Sequence, residues 1–140
     1  MGLVKTKITL KNVKDIFKVE IGLLPEHKVR QMTETVLVDT GAWTLVINET
    51  TREKLGLDYT GKSPGTLADG KKSKYNMAGP VEVLWKDRHV ICEAVVLPEA
   101  KDILLGAIPL EAMDLIVNPG KQEVVGAHGD QMMHIIYGNL

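Results

Sequence analysis

The stretch Val36–Ile47, VLVDTGAWTLVI, places one acidic residue between two apolar runs. The runs VLV and TLVI are rich in β-branched and aliphatic residues, which favours strands that pack into a core. Asp39 ends the first run, and the small residues Gly41 and Ala42 follow it where the backbone must turn. Because a carboxylate beside a core is costly to bury without partners, this Asp needs an explanation.

Three interpretations of Asp39 follow from this position. Its side chain can satisfy nearby amides in an ordinary turn, bind a metal ion, or form half of a carboxylate pair that activates water. The sequence has no companion cluster of His or carboxylate residues at ligand spacing, which argues against a metal. Taken alone, the four residues Asp39–Ala42 favour the turn.

Short strands surround this stretch on its N-terminal side. LVKTKITLKN (3–12) alternates apolar and polar residues, which predicts a half-buried first strand. DIFKVEIGLL (15–24) alternates in the same way and is expected to pair with it, while LPEHKVRQMTE (24–34) predicts a polar connection. TVLVD (35–39) is a solid apolar run, as expected of a strand buried on both faces.

The remaining elements are short as well. Asn48 is expected to cap a helix, ETTREKLG, that ends at Gly56, and Asp69–Gly70 predicts a hairpin turn. In AIPLEAMDL, Pro109 suits a first helical turn, with Leu110, Met113 and Leu115 at helical spacing. IVNPGKQEVVG predicts a strand, a turn and a strand. The fold class is therefore mainly β, barrel-like or closed, with one or two short helices, in a single domain over residues 1–140.

Composition excludes several classes of protein. The chain has 17 basic and 18 acidic residues, so neither nucleic acid nor a membrane surface is indicated as a partner. GKKSK (70–74), the densest basic patch, predicts a solvated loop. The single Cys92 excludes an internal disulfide and is expected to be a buried thiol in a strand. We find no apolar run of about 18 residues and no signal peptide, so a cytoplasmic protein is expected.

A second feature changes the interpretation of Asp39. ILLG (103–106) has the hydrophobic, hydrophobic, Gly pattern expected to pack beside the Asp strand, and the Asp69–Gly70 hairpin lies between the two. In this order VLVDTGA, REKLGL, LADG and VVLPEAKDILLGAIPLEAMDLIVNP resemble the retropepsin-like aspartic proteases, most closely their small prokaryotic single-domain members. The resemblance covers roughly residues 36–125. It implies a closed retropepsin-like β-barrel with one lobe per chain, and an aspartic endopeptidase that needs no metal or cofactor.

The resemblance also implies a role for each matching residue. Asp39 corresponds to the catalytic aspartate, Thr40 to the residue that braces the paired loop across a dimer, and Gly41 to the position that allows close approach to substrate. The implied substrate-binding residues are Ala42, Trp43, Leu67, Ala68, Asp69 and Gly70, the last four within a flap that runs from about Leu67 to Tyr75. The implied apolar support beneath the loop consists of Ile103, Leu104, Leu105 and Gly106.

The chain departs from the retroviral pattern at three places. Trp43 and Ala107 stand where retroviral enzymes carry an Asp and an Arg that pair with each other, and the flap is DGKKSK instead of glycine-rich. Trp43 is a candidate for a specificity pocket. Ala42 lacks the hydroxyl that other members place beside the carboxylate, so a mildly acidic to near-neutral optimum is expected.

Only one Asp-Thr-Gly is present, and each half of such a site supplies one Asp. We therefore predict a two-fold homodimer that acts on a peptide or protein substrate, with one of the two Asp39 carboxyls protonated and the other ionised. MMHIIYGNL (132–140) is expected either to contribute to the dimer or to close its own sheet. The alternative function is a non-catalytic dimeric peptide-binding module on the same fold.

Overall fold

A computed structural model of the chain describes residues 3–66 and 69–130. The strands in this part of the chain are β1 (Lys5–Asn12), β2 (Gln31–Val38), β3 (Leu45–Ile47), β4 (Asp58–Thr66), β5 (Lys72–Trp85), β6 (Arg88–Val96), β7 (Leu104–Leu105), β8 (Leu115–Asn118) and β9 (Glu123–Gly126). The helices are α1 (Val13–Glu20), α2 (Glu49–Leu55) and α3 (Ala107–Ala112), with one 3-10 turn at Glu26–Lys28. Within the described residues, none of the helices has the length and apolar character needed to cross a membrane.

Seven of these strands form one mixed sheet in the order β1-β2-β7-β3-β6-β5-β4. β1 also pairs antiparallel with β5, so the pairings lead back to the first strand. β8 and β9 form a separate antiparallel pair. The prediction of a mainly β fold is confirmed, and the arrangement is consistent with an acid-protease-like fold. Closure into a barrel stays a prediction.

The core is formed mainly by residues of the paired strands. Strands contribute to it with alternate residues, as the period of two requires: in β1 Ile8 and Leu10 are almost fully buried, and in β5 Val81 and Val83 are fully buried. Trp85 packs at the edge of this core, where its Nε1 donates a 2.8 Å hydrogen bond to the hydroxyl of Thr6. The first and fifth strands are thereby joined through side chains as well as through their backbones.

The segment predicted as a second strand, residues 15–24, is not a strand: residues 15–20 lie in α1 and residues 21–24 form a turn. Asn12 ends β1 and caps α1, because its side-chain oxygen accepts the backbone N–H of Asp15 at 3.0 Å. Ile16 and Val19 lie three residues apart and are half-buried, while Phe17 and Ile21 are exposed. The apolar residues therefore also fit a helical spacing, and the cap decides between the two.

The helix count was underestimated, since the prediction allowed one or two and the described residues form three. α2 is confirmed with its predicted ends: Asn48 accepts the N–H of Thr51 at 2.8 Å, and Gly56 has a left-handed φ of 63°. α3 ends at Ala112, and Leu115, predicted at helical spacing, begins β8. Asp114, at a φ of 55°, redirects the chain between them.

The strand that leads into Asp39 is longer and more exposed than predicted. β2 begins at Gln31, inside the expected polar connection, and of its residues only Val36 is buried. It pairs with β1 along its length, from Lys11↔Gln31 to Lys5↔Leu37. Backbone hydrogen bonds hold this strand pair together, and the backbone of a polar residue forms them as well as that of an apolar residue.

An ion pair that the sequence did not indicate fixes the corner between β1, α1 and β2. Asp15 accepts hydrogen bonds from the Arg30 Nε at 2.8 Å, the Arg30 Nη2 at 2.9 Å and the Arg30 backbone N–H at 3.0 Å. The Asp15 side chain is 3% exposed and that of Arg30 is 48% exposed. The guanidinium also lies against Gly56 at the end of α2, where a Cβ would collide with it. The pair therefore joins the first helix to the second.

Asp15→Asn tests this pair. Its hydrogen bond with Arg30 lowers the pKa of Asp15 from its ordinary value of 3.8. A carboxyl whose folded pKa is depressed contributes stability above its unfolded pKa and loses it as the pH falls through the folded value. We expect Asp15→Asn to reduce the free energy of unfolding at pH 7 by about 1–2 kcal/mol, since Arg30 is half solvated. Urea unfolding should show a smaller difference from wild type at about pH 3.

The control is Asp58→Asn, which removes an exposed pair. Asp58 contacts Lys14 at 2.7 Å, and the two side chains are 64% and 56% exposed. Solvent screens such a pair, so the urea midpoint should move far less than for Asp15→Asn. Equal losses for the two variants would contradict a special role for the Asp15–Arg30 pair.

Candidate active site

The loop that carries Asp39 joins two strands that do not pair with each other. β7 lies between them, parallel to β2 and antiparallel to β3. The N–H of Leu37 donates to the carbonyl of Ile103 at 3.0 Å, and the N–H of Asp39 donates to the carbonyl of Leu105 at 3.0 Å. The chain must therefore pass over the end of β7, and this fixes the position of Asp39 just beyond the end of β2.

The Asp39 carboxylate takes part in a tight local turn. Its Oδ1 accepts the N–H of Gly41 at 2.9 Å, and the N–H of Ala42 donates to the Asp39 carbonyl at 3.1 Å. A Cβ on Gly41 would lie 3.1 Å from the same Oδ1, so a small residue suits this position. Asp39, Thr40 and Gly41 are exposed. Because the Asp39 carboxylate is solvent-exposed in the single chain, the free-energy cost expected for burying it does not arise there.

The other side of the loop is held against the start of α3. The N–H groups of Ala107 and Ile108 donate to the carbonyls of Ala42 and Trp43 at 2.8 and 2.9 Å. Gly106 is buried beneath them, and a Cβ there would meet the carbonyl oxygens of Thr44 and Ala42, the latter at 2.5 Å. The backbone thus approaches so closely that only glycine fits.

A cleft of about 480 Å³ opens beside Asp39. Its lining residues are Asp39, Gly41, Ala42, Trp43, Val46, Ser63, Pro64, Gly65, Thr66, Tyr75, Val95, Leu97 and Leu104. Val46, Met77 and Val95 form a buried apolar cluster below it, with Tyr75, Leu97 and Leu104 packed against that cluster. Asp39 is the one acidic side chain among the described lining residues. The site therefore sets a single carboxylate against an apolar wall, which suits an uncharged segment with apolar side chains.

The hairpin of β4 and β5 forms the opposite wall. Residues Ser63–Thr66 pair with Lys72–Tyr75, and a Cβ on Gly65 would lie 3.0 Å from the Tyr75 ring, so this ring covers Gly65. The predicted turn at Asp69–Gly70 is present, with a φ of 84° at Gly70 and the N–H of Lys71 donating to Asp69 Oδ1 at 2.9 Å. Ser63–Thr66 were not predicted as lining residues, although pairing residues on either side of the predicted turn would have set them opposite Lys72–Tyr75.

The structure brings together some of the predicted site residues and separates others. Asp39, Gly41, Ala42, Trp43 and Leu104 line the cleft, and Thr40 is exposed within the same loop. Ile103, Leu105 and Gly106 lie behind the loop, where the Leu105 carbonyl accepts the N–H of Asp39 and the Ile103 carbonyl accepts that of Leu37 in β2. Asp69 and Gly70 lie at the hairpin tip and outside the lining set. Leu67, Ala68 and the segment MMHIIYGNL fall outside the described residues.

Two other kinds of site, a reactive cysteine and a metal site, find no support among the described residues. Burial raises the pKa of the Cys92 thiol to about 11, so it stays protonated at neutral pH and is a poor nucleophile. Over residues 3–66 and 69–130, no group of three or more His, Cys, Asp or Glu side chains is placed to hold a metal ion. Trp43, at 46% exposed, stands at the edge of the cleft, whereas Trp85 belongs to the core.

The chain matches a model of a known protein family. Residues 26–108, more than half of the chain, match the family model described as aspartyl protease. The matched range contains β2, the Asp39 loop, the β4–β5 hairpin, β7 and the start of α3. The search of curated proteins gave no match.

Gly106→Ala tests whether the loop depends on the close approach of Gly106. The added methyl group would meet two carbonyl oxygens of fixed backbone, and the loop would have to move. We expect the free energy of unfolding to fall by about 3 kcal/mol, measured by chemical denaturation. Gly120→Ala is the matched control, because its Cβ would lie 3.5 Å from the Asn118 side chain, an ordinary contact. A Gly106→Ala chain as stable as Gly120→Ala would contradict the argument.

Proposed function

The chain belongs to the aspartyl protease family, and from this we propose that it is an aspartic endopeptidase whose site forms between two copies of the chain. The observation that carries the proposal is the exposed Asp39 carboxylate at the edge of an apolar cleft. The proposed reaction is hydrolysis of a peptide bond by a water molecule that two Asp39 carboxyls activate, one from each subunit of a homodimer.

The surface around Asp39 supports the need for a second copy. Two carboxyls are required to hold one proton between them, and the described residues that line the cleft supply one. Thr40 is exposed beside Asp39, and among the described residues its hydroxyl has no hydrogen-bond partner. In a two-fold dimer the same patch faces itself, so both Asp39 side chains and both Thr40 hydroxyls would meet at the axis.

The chemistry then follows from the shared proton. The ionised Asp39 takes a proton from water as the water oxygen attacks the scissile carbonyl carbon, and the protonated Asp39 donates to the carbonyl oxygen. The tetrahedral diol returns a proton to the newly ionised carboxylate, while the other carboxyl protonates the nitrogen as the C–N bond breaks. The pair ends with one proton, as it began. Neither a covalent intermediate nor a metal takes part in these steps.

The cleft suits the substrate that this reaction needs. A volume of about 480 Å³ accommodates a few side chains of a peptide segment. Its apolar lining favours aliphatic or aromatic side chains, and Trp43 and Tyr75 are placed to contact them at its walls. The Asp39 turn is held on both sides by backbone hydrogen bonds, which gives the carboxylate a fixed direction relative to the cleft.

Asp39→Asn is the direct test of the reaction. Asparagine keeps the shape and the acceptor for the Gly41 amide but cannot exchange the proton, so we expect cleavage of unstructured peptides between pH 4 and 8 to fall about 10³-fold. The control is Asp87→Asn, in the exposed turn between β5 and β6, which should cleave as wild type does. Undiminished cleavage by Asp39→Asn would refute the mechanism. Peptide binding by a wild type that never cleaves would favour a non-catalytic binding module.

Mixing subunits tests whether two carboxyls share one site. After subunit exchange, an equal mixture of wild type and Asp39→Asn should contain both carboxyls in about one quarter of its dimers. We therefore expect about half the activity that the same amount of wild type shows alone, measured with subunits in excess of the dimer dissociation constant. Mixing with Asp87→Asn should cause no loss. An activity unaffected by added Asp39→Asn would mean that each chain works by itself.

A further inference from the structure

The β4–β5 hairpin carries a cluster of lysines that the proposed reaction does not use. Lys62, Lys71, Lys72 and Lys74 are exposed, and none forms an ion pair within residues 3–66 and 69–130. Asp69 is the one acidic residue between Lys62 and Lys74, and its Oδ1 accepts the backbone N–H of Lys71. The hairpin is therefore strongly basic in a chain whose formal net charge is −1.

The strand register places three of these lysines on one face, here called the lysine face (Lys62, Lys72 and Lys74). The strand partners are Lys62↔Asn76, Pro64↔Lys74 and Thr66↔Lys72. Partners in an antiparallel pair share a face, and successive residues alternate between faces. Gly65 and Tyr75 lie on the other face, where the Tyr75 ring covers Gly65, whereas Pro64 and Thr66 share the lysine face and also line the cleft. The lysine face therefore adjoins the cleft.

The lysine face has an electrostatic cost that a partner can remove. Like charges on neighbouring positions of a strand pair repel each other. Three basic side chains elsewhere in the described structure have acidic partners: Lys14 contacts Asp58, Arg30 contacts Asp15 and Arg52 contacts Glu49. The lysine face has no such partner within the described residues. A ligand with several negative charges would neutralise the lysine face and would be attracted to it from solution.

The lysine face lies next to the cleft along the chain and across the strands. Lys62 precedes Ser63 and Lys74 precedes Tyr75, while Thr66, the strand partner of Lys72, lines the cleft itself. A sheet layer is about 10 Å thick, and an extended peptide advances about 3.3 Å per residue. A peptide that leaves the cleft at the hairpin edge therefore needs three or four residues to reach the lysine face, and the lysine side chains shorten that path.

We propose that the lysine face binds acidic side chains of the substrate, so that the preferred substrates are peptides with an apolar segment and a run of Asp or Glu a few residues away. The inference rests on the proposed function for what occupies the cleft. A nucleic acid fits less well, because surfaces that bind one typically make roughly six to ten phosphate contacts, and the adjoining cleft is apolar. The acidic run supplies attraction and position, while the apolar segment enters the cleft.

The test measures binding by the Asp39→Asn variant of the 140-residue chain, so that cleavage does not interfere. Two fluorescent peptides share one apolar segment and differ only in three Glu or three Gln residues placed four positions away. We expect the Glu peptide to bind about tenfold more tightly at low salt, as three exposed ion pairs would give. The difference should shrink as salt is raised to about 0.5 M, where charges are screened within a few ångströms.

Two sets of substitutions locate the effect. Replacing the lysine face with Lys62→Gln, Lys72→Gln and Lys74→Gln should abolish the preference for the Glu peptide and leave binding of the Gln peptide unchanged. The matched control replaces Lys5, Lys7 and Lys54, three exposed lysines elsewhere, and should keep the preference. Since salt dependence is measured on chains with all lysines present, the test does not depend on how the variants fold.

The outcomes separate this inference from the proposed function. Equal binding of the two peptides, or no binding of either, overturns the lysine face as a substrate site. Displacement of the Glu peptide by a short single-stranded RNA at lower concentration than by unlabelled Glu peptide also overturns it, in favour of a nucleic acid. A wild type that binds the Glu peptide preferentially but cleaves neither peptide contradicts the proposed reaction and leaves the lysine face standing.

Discussion

The close approach of two backbones at Gly106 is the constraint on which the candidate site depends. β7 is two residues long, yet it separates β2 from β3, and its Leu105 together with the preceding Ile103 accepts the hydrogen bonds that fix Asp39 and Leu37. The loop between those strands has to cross the end of β7, and it does so at a distance that excludes even a methyl group. The position of the Asp39 turn is thus set by packing behind the loop, and within that turn the Gly41 N–H directs the carboxylate.

Local chemistry made much of this fold predictable. Asn48 and Gly56 delimit α2 as expected, and Asp69–Gly70 turns the hairpin, because a cap or a turn depends on a few neighbouring residues. Asp39 and the segment 103–106 were recognised by their order in the chain. Their contact in space joins residues that are more than 60 positions apart in sequence, and the structure supplies it.

The features that were not predicted depend either on competition between strand and helix spacing or on contacts between residues distant in sequence. The segment 15–24 has apolar residues at both strand and helix spacing. The Asn12 cap and the ion pair between Asp15 and Arg30 favour the helix, which ends at Glu20. The extent of β2 was missed because its polar half is stabilised by pairing with β1. Ser63–Thr66 line the cleft without any residue type that marks a site. Position in the assembled sheet gives these residues their role.

The double pairing of β1 has a consequence for what counts as a module in this protein. The range that matches the aspartyl protease family begins at residue 26, whereas β1 ends at Asn12 and pairs with both β2 and β5. Ile8 and Leu10 fill the core from this strand. The segment that carries the family signature is therefore smaller than the cooperative folding unit. The segment that matches the family and the segment that folds as a unit therefore have different boundaries. A chain that began at residue 26 would lack β1, and the edges of β2 and β5 that pair with it would both be exposed.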